Sequence, residues 1–114
     1  MSFTIELRGK VGRVAVVELD GRLTFGEGAD KVENFLQDLV AHEERAVLLD
    51  MAKVAVIDSR GIKALVHGYT SMRKRGGHLK LLKVAPRVRE VLNNTRLMTV
   101  FEAFDDEAAA LKSF

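Results

Sequence analysis

One short segment brings an acidic residue, a hydroxyl and an arginine together just before an apolar helical pattern. It reads VIDSRGI over residues 56–62. The free N–H groups of a first helical turn and the positive end of the helix dipole can hold a phosphate there, which suits a switch. A simpler interpretation is that Asp58 caps the helix, Ser59 is tolerated in its first turn and Gly61 permits close packing. Composition alone leaves both interpretations open.

Other residues that often carry chemistry lack the spacing for it. His42, His67 and His78 have no catalytic partner at a suitable spacing, and no two are four residues apart, as two metal ligands on one helix face would be. The chain has no cysteine, which excludes disulfides and thiolate metal sites. Ser59 beside Asp58 is the best candidate nucleophile, but no base is evident for it. We therefore predict no catalytic residue, no cofactor and no metal.

Glycines and basic residues do not indicate a nucleotide or nucleic-acid site. The glycines at 26–28 and 76–77 match no complete phosphate loop, and the basic cluster at 73–75 suits the carboxyl end of a helix. Eighteen basic against sixteen acidic residues leave a net charge of +2, too small for general polyanion binding. No run approaches the ~20 apolar residues of a membrane span. We expect a cytoplasmic chain with no membrane span and no direct contact with nucleic acid.

Alternating strand and helix patterns must position the 56–62 segment. A period of two over 3–7, a turn over 9–12 and a second strand over 14–19 predict an opening β-hairpin. Thr24 and Glu27 have capping-box spacing before a helical stripe that runs from about Gly26 to His42. The remaining predicted elements are a buried strand over 46–50 that ends at Asp50, a helix capped by Asp58 and stopped at 76–77, a strand over 78–84, a helix from Pro86 to about Asn94, a short strand over 100–104 and a helix over 105–111.

This order of elements predicts an α/β fold. The hairpin makes the sheet mixed, and the later strands and helices alternate as right-handed βαβ units do. The chain has 114 residues, of which 47% are hydrophobic, and this is enough to form one buried core. No linker or internal repeat interrupts it, so we expect a single domain over residues 1–114.

Four stretches, in this order and at this spacing, resemble the STAS domain family, specifically its stand-alone anti-sigma factor antagonists. The stretches are LDGRL at 19–23, VLLD at 47–50, IDSRGI at 57–62 and GGHLKL at 76–81. The resemblance covers nearly the whole chain, and the alanine-rich final helix with its acidic cap also agrees with it.

The resemblance implies a binding protein rather than an enzyme. Such an antagonist binds an anti-sigma factor with serine kinase activity and so frees the sigma factor for transcription, until the kinase phosphorylates the antagonist and the complex dissociates. ATP belongs to the partner. The family motif Asp-Ser-Ser/Thr-Gly falls on residues 58–61, so Arg60 stands where the phosphorylated hydroxyl is expected. Thr24 stands where the family often has a second acidic residue.

Arginine changes what the resemblance implies about the switch. Arg60 cannot be phosphorylated as serine is, and its positive charge does not imitate phosphoserine. Two outcomes stay open: Ser59 is an alternative acceptor, or the switch is absent and Arg60 pairs with a carboxylate or phosphate of the partner, which we favour. The alternative function is a phosphorylation-independent scaffold or adaptor in a larger bacterial signalling assembly. The predicted partner-binding residues are Asp58, Ser59, Arg60, Gly61, Asp20, Gly21 and Thr24.

Overall fold

A computed structural model describes residues 2–114, and strands and helices alternate in it after an opening hairpin. In chain order, the elements are β1 (Thr4–Val11), β2 (Val14–Leu23), α1 (Glu27–Ala41), β3 (Ala46–Ile57), α2 (Ser59–Lys74), β4 (His78–Leu82), α3 (Pro86–Asn94), a 3-10 turn (Leu97–Thr99), β5 (Ala103–Phe104) and α4 (Glu107–Lys112). Among the described residues, no helix is both long enough and apolar enough to cross a lipid bilayer.

The strands form one mixed sheet in the order β1-β2-β3-β4-β5. The β1 strand is antiparallel to β2, and every later strand is parallel to its neighbour. The helices α1, α2 and α3 lie in the crossovers that the parallel neighbours require. The carboxyl ends of β2 and β3 therefore lie at the same edge of the sheet. The predicted α/β fold with a mixed sheet and an opening hairpin is confirmed.

The main core lies between one face of the sheet and the helices α1 and α2. Alternate strand side chains such as Val17 and Leu49 are fully buried there, as are Leu36 of α1 and Leu65 of α2. The two helices pack closely, because a Cβ on Gly68 would lie only 2.4 Å from Leu36 Cδ1. Burial of such a side chain contributes about 1.5–3 kcal/mol, so this layer supplies much of the stability that fixes the sheet edge.

The opposite face of the sheet carries a smaller apolar cluster, which α4 covers. Two charged residues are buried on this side, and each has a partner. The carboxylate of Asp50 accepts a hydrogen bond from Arg8 Nη1 at 2.9 Å. Lys80 Nζ donates to the carbonyl oxygen of Ser113 at 2.8 Å, which ties β4 to the end of the chain. A buried charge that is hydrogen-bonded in this way does not carry the full cost of desolvation.

Several strand boundaries differ from the prediction. The prediction that the third strand ends at Asp50 is wrong, because β3 continues to pair with β2 as far as Leu23 opposite Ile57. Val54 and Ile57 are buried and hold this extension against the core. In contrast, β4 and β5 are shorter than predicted, and a 3-10 turn takes up part of the chain before β5.

The predicted capping box at the start of α1 is also wrong. The N-cap residue is Gly26, and no side chain caps the helix. Glu27 instead accepts the backbone N–H of Phe3 at 3.2 Å and pairs with Lys31 at 3.0 Å. Because α1 begins only at Glu27 and its N-cap is Gly26, Thr24 lies too early in the chain to cap the helix. The carbonyl oxygen of Thr24, rather than its hydroxyl, accepts the Ala29 N–H at 3.0 Å.

Candidate functional site

The site begins where β2 and β3 end. Leu23 pairs with Ile57, so the residues that follow each of them leave the sheet side by side. From β2 the chain enters the loop of residues 24–26 before α1, and from β3 it enters α2 at Asp58. The two segments that the sequence analysis singled out separately therefore meet at one edge of the sheet.

Asp58 joins these two segments. Its Oδ1 accepts the backbone N–H groups of Arg60 and Gly61, each at 3.0 Å, which caps α2 as the sequence predicts. Its Oδ2 accepts the backbone N–H of Phe25 at 2.9 Å. One carboxylate thus fixes both the start of α2 and the course of the β2–α1 loop.

These hydrogen bonds also set the charge state of Asp58. Its burial acts to raise the pKa, but the N–H groups of Phe25, Gly61 and Arg60 outweigh burial and hold the pKa below its ordinary value. Asp58 is therefore fully ionised at neutral pH, and both of its oxygens are already engaged as acceptors.

Replacing Asp58 by asparagine is expected to lower stability in a pH-dependent way. A carboxylate whose pKa is depressed by folding contributes stability above its unfolded pKa of about 4, and this stability is lost as the pH falls through the lower folded value. We expect Asp58→Asn to cost about 1 kcal/mol at pH 7 and less near pH 3. Urea unfolding at both pH values checks this. An equal difference in unfolding free energy between variant and wild type at both pH values would contradict the role given to the Asp58 charge.

Gly61 lies against the end of β2. A Cβ at this position would be only 2.1 Å from the carbonyl oxygen of Leu23, which also accepts the Asp58 N–H at 3.3 Å. Only glycine lets the first turn of α2 approach so closely, so the predicted packing role of Gly61 is confirmed. Gly21 has a different requirement, since its φ of 127° is one that other residues rarely adopt.

Arg60 extends from α2 towards α1. Its Nη2 donates to Asp30 Oδ1 at 3.2 Å, whereas its Nη1 is enclosed and has no hydrogen-bond partner among residues 2–114. The Asp30 side chain is 63% exposed, so it can be reached from solvent. Asp30 is not among the residues predicted from the sequence, because nothing in its spacing on α1 marks it as a neighbour of α2. Ser59, the first residue of α2, is exposed.

A cavity of about 330 Å³ opens beside the β2–α1 loop. It brings together the other three predicted residues, Asp20, Gly21 and Thr24, and is also lined by Ser2 and Phe3. The cavity-lining residues are Ser2, Phe3, Asp20, Gly21, Arg22, Thr24, Phe25, Glu27 and Gly28. All seven predicted residues therefore lie in two segments that Asp58 connects.

Phe25 belongs to the same loop and is not among the residues predicted from the sequence. Its side chain is 80% exposed, the highest value among the large apolar residues that the structure records as exposed. A signal was present in the sequence: Phe25 is an aromatic residue in a short polar loop and does not fit the apolar stripe of α1.

Fold and site together define the class: an α/β domain with a mixed sheet, whose candidate site lies at the start of its second helix. The STAS domain family model matches residues 5–110, and the chain belongs to that family. The resemblance inferred from the sequence is thereby confirmed.

Relatives and solved structures agree with this assignment. The anti-sigma F factor antagonist of Paenibacillus polymyxa is 24% identical over 112 residues, which cover 97% of this chain and 94% of the relative. A crystal structure of an anti-sigma factor antagonist from Mycobacterium paratuberculosis matches with a TM-score of 0.85 at 24% identity, covering 98% of this chain and 93% of that one. A sulfate transporter family protein from Wolinella succinogenes matches with a TM-score of 0.79 at 29% identity, covering 93% and 88%.

Proposed function

We propose that this chain is an anti-sigma factor antagonist. It binds an anti-sigma factor of the serine kinase type in the cytoplasm and so regulates transcription that depends on the sigma factor. The observation that carries the proposal is the link through Asp58, whose carboxylate holds the start of α2 and the β2–α1 loop at one edge. Relatives named as anti-sigma factor antagonists support the same function.

The contact surface centres on the start of α2 and includes the cavity residues Asp20, Gly21 and Thr24. Arg60 forms its charged centre. Asp30 engages only one of the two terminal nitrogens of the guanidinium, and the other has no acceptor among residues 2–114. A carboxylate or phosphate of the partner would form a charge-assisted pair with Nη2, the nitrogen that now bonds the exposed Asp30.

The chain itself carries out no reaction in this proposal. A serine nucleophile needs a base that can take its proton, and the only acidic neighbour of Ser59 along the chain is Asp58. The oxygens of Asp58 accept three backbone N–H bonds, and its lowered pKa makes it a poor base. Any ATP-dependent chemistry therefore belongs to the anti-sigma factor.

A scaffold or adaptor that works without phosphorylation is the second candidate function. The observation that favours it is Arg60 itself, since the position that accepts phosphate in the family motif holds no hydroxyl. Size-exclusion chromatography is a first experiment that distinguishes the two functions. A stable, large homo-oligomer would favour the scaffold, whereas a small species that forms a complex with an anti-sigma factor would favour the antagonist.

Reversing the charge of Arg60 is expected to weaken partner binding more than it weakens folding. Arg60→Glu replaces the donor with an acceptor beside Asp30, and we expect the Kd for the anti-sigma factor to rise by about tenfold or more. The matched control is Arg89→Glu, which also breaks an arginine–aspartate pair, that of Arg89 on α3 with Asp105. Calorimetric titration gives the Kd, and thermal unfolding reports the fold. Equal affinity of Arg60→Glu and the wild type would count against a direct role for Arg60.

A further inference from the structure

Phe25 is exposed to an extent that the fold does not require. Its ring is 80% exposed, next to a cavity of about 330 Å³ that it helps to line. The other large apolar residues recorded as exposed among residues 2–114 lie between 40% and 52% exposed. An aromatic ring left in water gives up the stabilisation that burial would bring, and exposed aromatic residues are enriched at the centres of protein interfaces.

The backbone that carries the ring is fixed in advance. The N–H of Phe25 donates to Asp58 Oδ2 at 2.9 Å, and Asp58 in turn caps a helix of 16 residues. The next residue, Gly26, is the N-cap of α1. Because the loop is held at both ends, little backbone entropy is lost when a partner covers the ring. This is the behaviour of an anchor residue rather than of a mobile loop tip.

Two charged side chains beside the ring define what would cover it. Asp20 and Arg22 both line the cavity and are both exposed. Neither takes part in an ion pair within residues 2–114, whereas Glu27 on the same cavity is paired with Lys31. A complementary surface therefore needs an apolar socket for the ring, flanked by a cation for Asp20 and a carboxylate for Arg22.

We propose that Phe25 is the apolar anchor of the partner-binding surface, and that the partner is a protein with an apolar socket flanked by one charge of each sign. The inference rests on the proposed function, because the occupant is the anti-sigma factor. It adds a residue that determines which anti-sigma factor is bound. The hydrogen bond to Asp58 makes the position of the anchor depend on the same carboxylate that caps α2.

The test compares Phe25→Ala with Val11→Ala by calorimetric titration of the full chain against each purified anti-sigma factor encoded in the same genome. Val11 is the matched control, since it is 52% exposed and lies at the end of β1, outside the cavity. We expect Phe25→Ala to raise the Kd by about 30-fold or more and Val11→Ala to change it by less than about threefold. Phe25→Leu, which keeps an apolar side chain, is expected to fall between them. Thermal unfolding of Phe25→Ala is expected to match that of the wild type, because the ring is exposed.

The outcomes separate the anchor from the function on which it rests. If the wild type and Phe25→Ala bind an anti-sigma factor equally well, the anchor role of Phe25 is overturned and the antagonist function stays intact. A wild-type chain that binds none of the anti-sigma factors would overturn both. A selective loss in Phe25→Ala without loss of stability supports both.

Discussion

Replacing Arg60 by serine is expected to turn this chain into a phosphorylation substrate of its anti-sigma factor. The substitution restores Asp-Ser-Ser-Gly over residues 58–61 and puts a hydroxyl on the first turn of α2. A phosphate at this position lies near the backbone N–H groups and the positive end of the helix dipole. The substitution also removes the ion pair between Arg60 and Asp30, so we expect the new serine hydroxyl to be open to solvent.

Incubation of Arg60→Ser with the anti-sigma kinase and ATP measures this directly. Intact-mass spectrometry is expected to show one added phosphoryl group on the variant and none on the wild type, and chromatography is expected to show that only the variant complex dissociates. The double variant Arg60→Ser with Ser59→Ala controls for the neighbouring hydroxyl and is expected to be modified as well. Phosphorylation of the wild type at Ser59 would contradict the loss of the switch. An Arg60→Ser variant that forms the complex but stays unphosphorylated would contradict the role of position 60 as the lost acceptor.

Replacing Gly61 by alanine is expected to cause a large loss of stability. The added methyl would lie 2.1 Å from the Leu23 carbonyl oxygen, so the start of α2 or the end of β2 must move. Alanine improves helix propensity by about 1 kcal/mol, but the overlap with backbone atoms outweighs this gain. We expect a net loss of about 3 kcal/mol, a large part of the total for a domain of this size.

The matched control is Gly76→Ala, at a glycine that faces open space. Among residues 2–114, apart from Gly76 and its two chain neighbours, no atom lies within 4 Å of the Cβ that this change would add, so its cost comes from a φ of 78°. Urea unfolding is expected to rank Gly61→Ala as the less stable of the two variants. We also expect Gly61→Ala to bind the partner more weakly, because Asp58 and Phe25 move with the start of α2. Wild-type stability in Gly61→Ala would contradict the close packing of α2 on β2.

The sequence predicts the fold well because its strongest signals are local. The hairpin, the two long helices and the cap at Asp58 each follow from a short pattern of side chains. The end of β3 does not, since residues 51–57 stay in the sheet only because β2 continues beside them. The predicted capping box at the start of α1 is wrong for a similar reason, because Glu27 bonds to Phe3, a residue distant in the chain.

The start of α2 could be predicted from the sequence, whereas its connections to other elements, and the residues Asp30 and Phe25, could not. The acidic residue, hydroxyl and glycine before an apolar stripe mark the start of α2 without any knowledge of the fold. That Asp58 also holds the Phe25 N–H depends on β2 and β3 ending side by side. The contact of Arg60 with Asp30 joins two helices, and the exposure of Phe25 depends on how the loop turns. Pairwise relations of this kind have no signature in one sequence.

The most direct test of the proposed function uses the unmodified chain, its candidate anti-sigma kinase and ATP in one incubation. Chromatography reports the complex, and intact-mass spectrometry reports any phosphoryl group added. We predict a stable complex and an unmodified chain, because Arg60 holds the place of the acceptor. Failure to bind any anti-sigma kinase would contradict the antagonist function, and a complex that dissociates as Ser59 gains a phosphoryl group would contradict the loss of the switch.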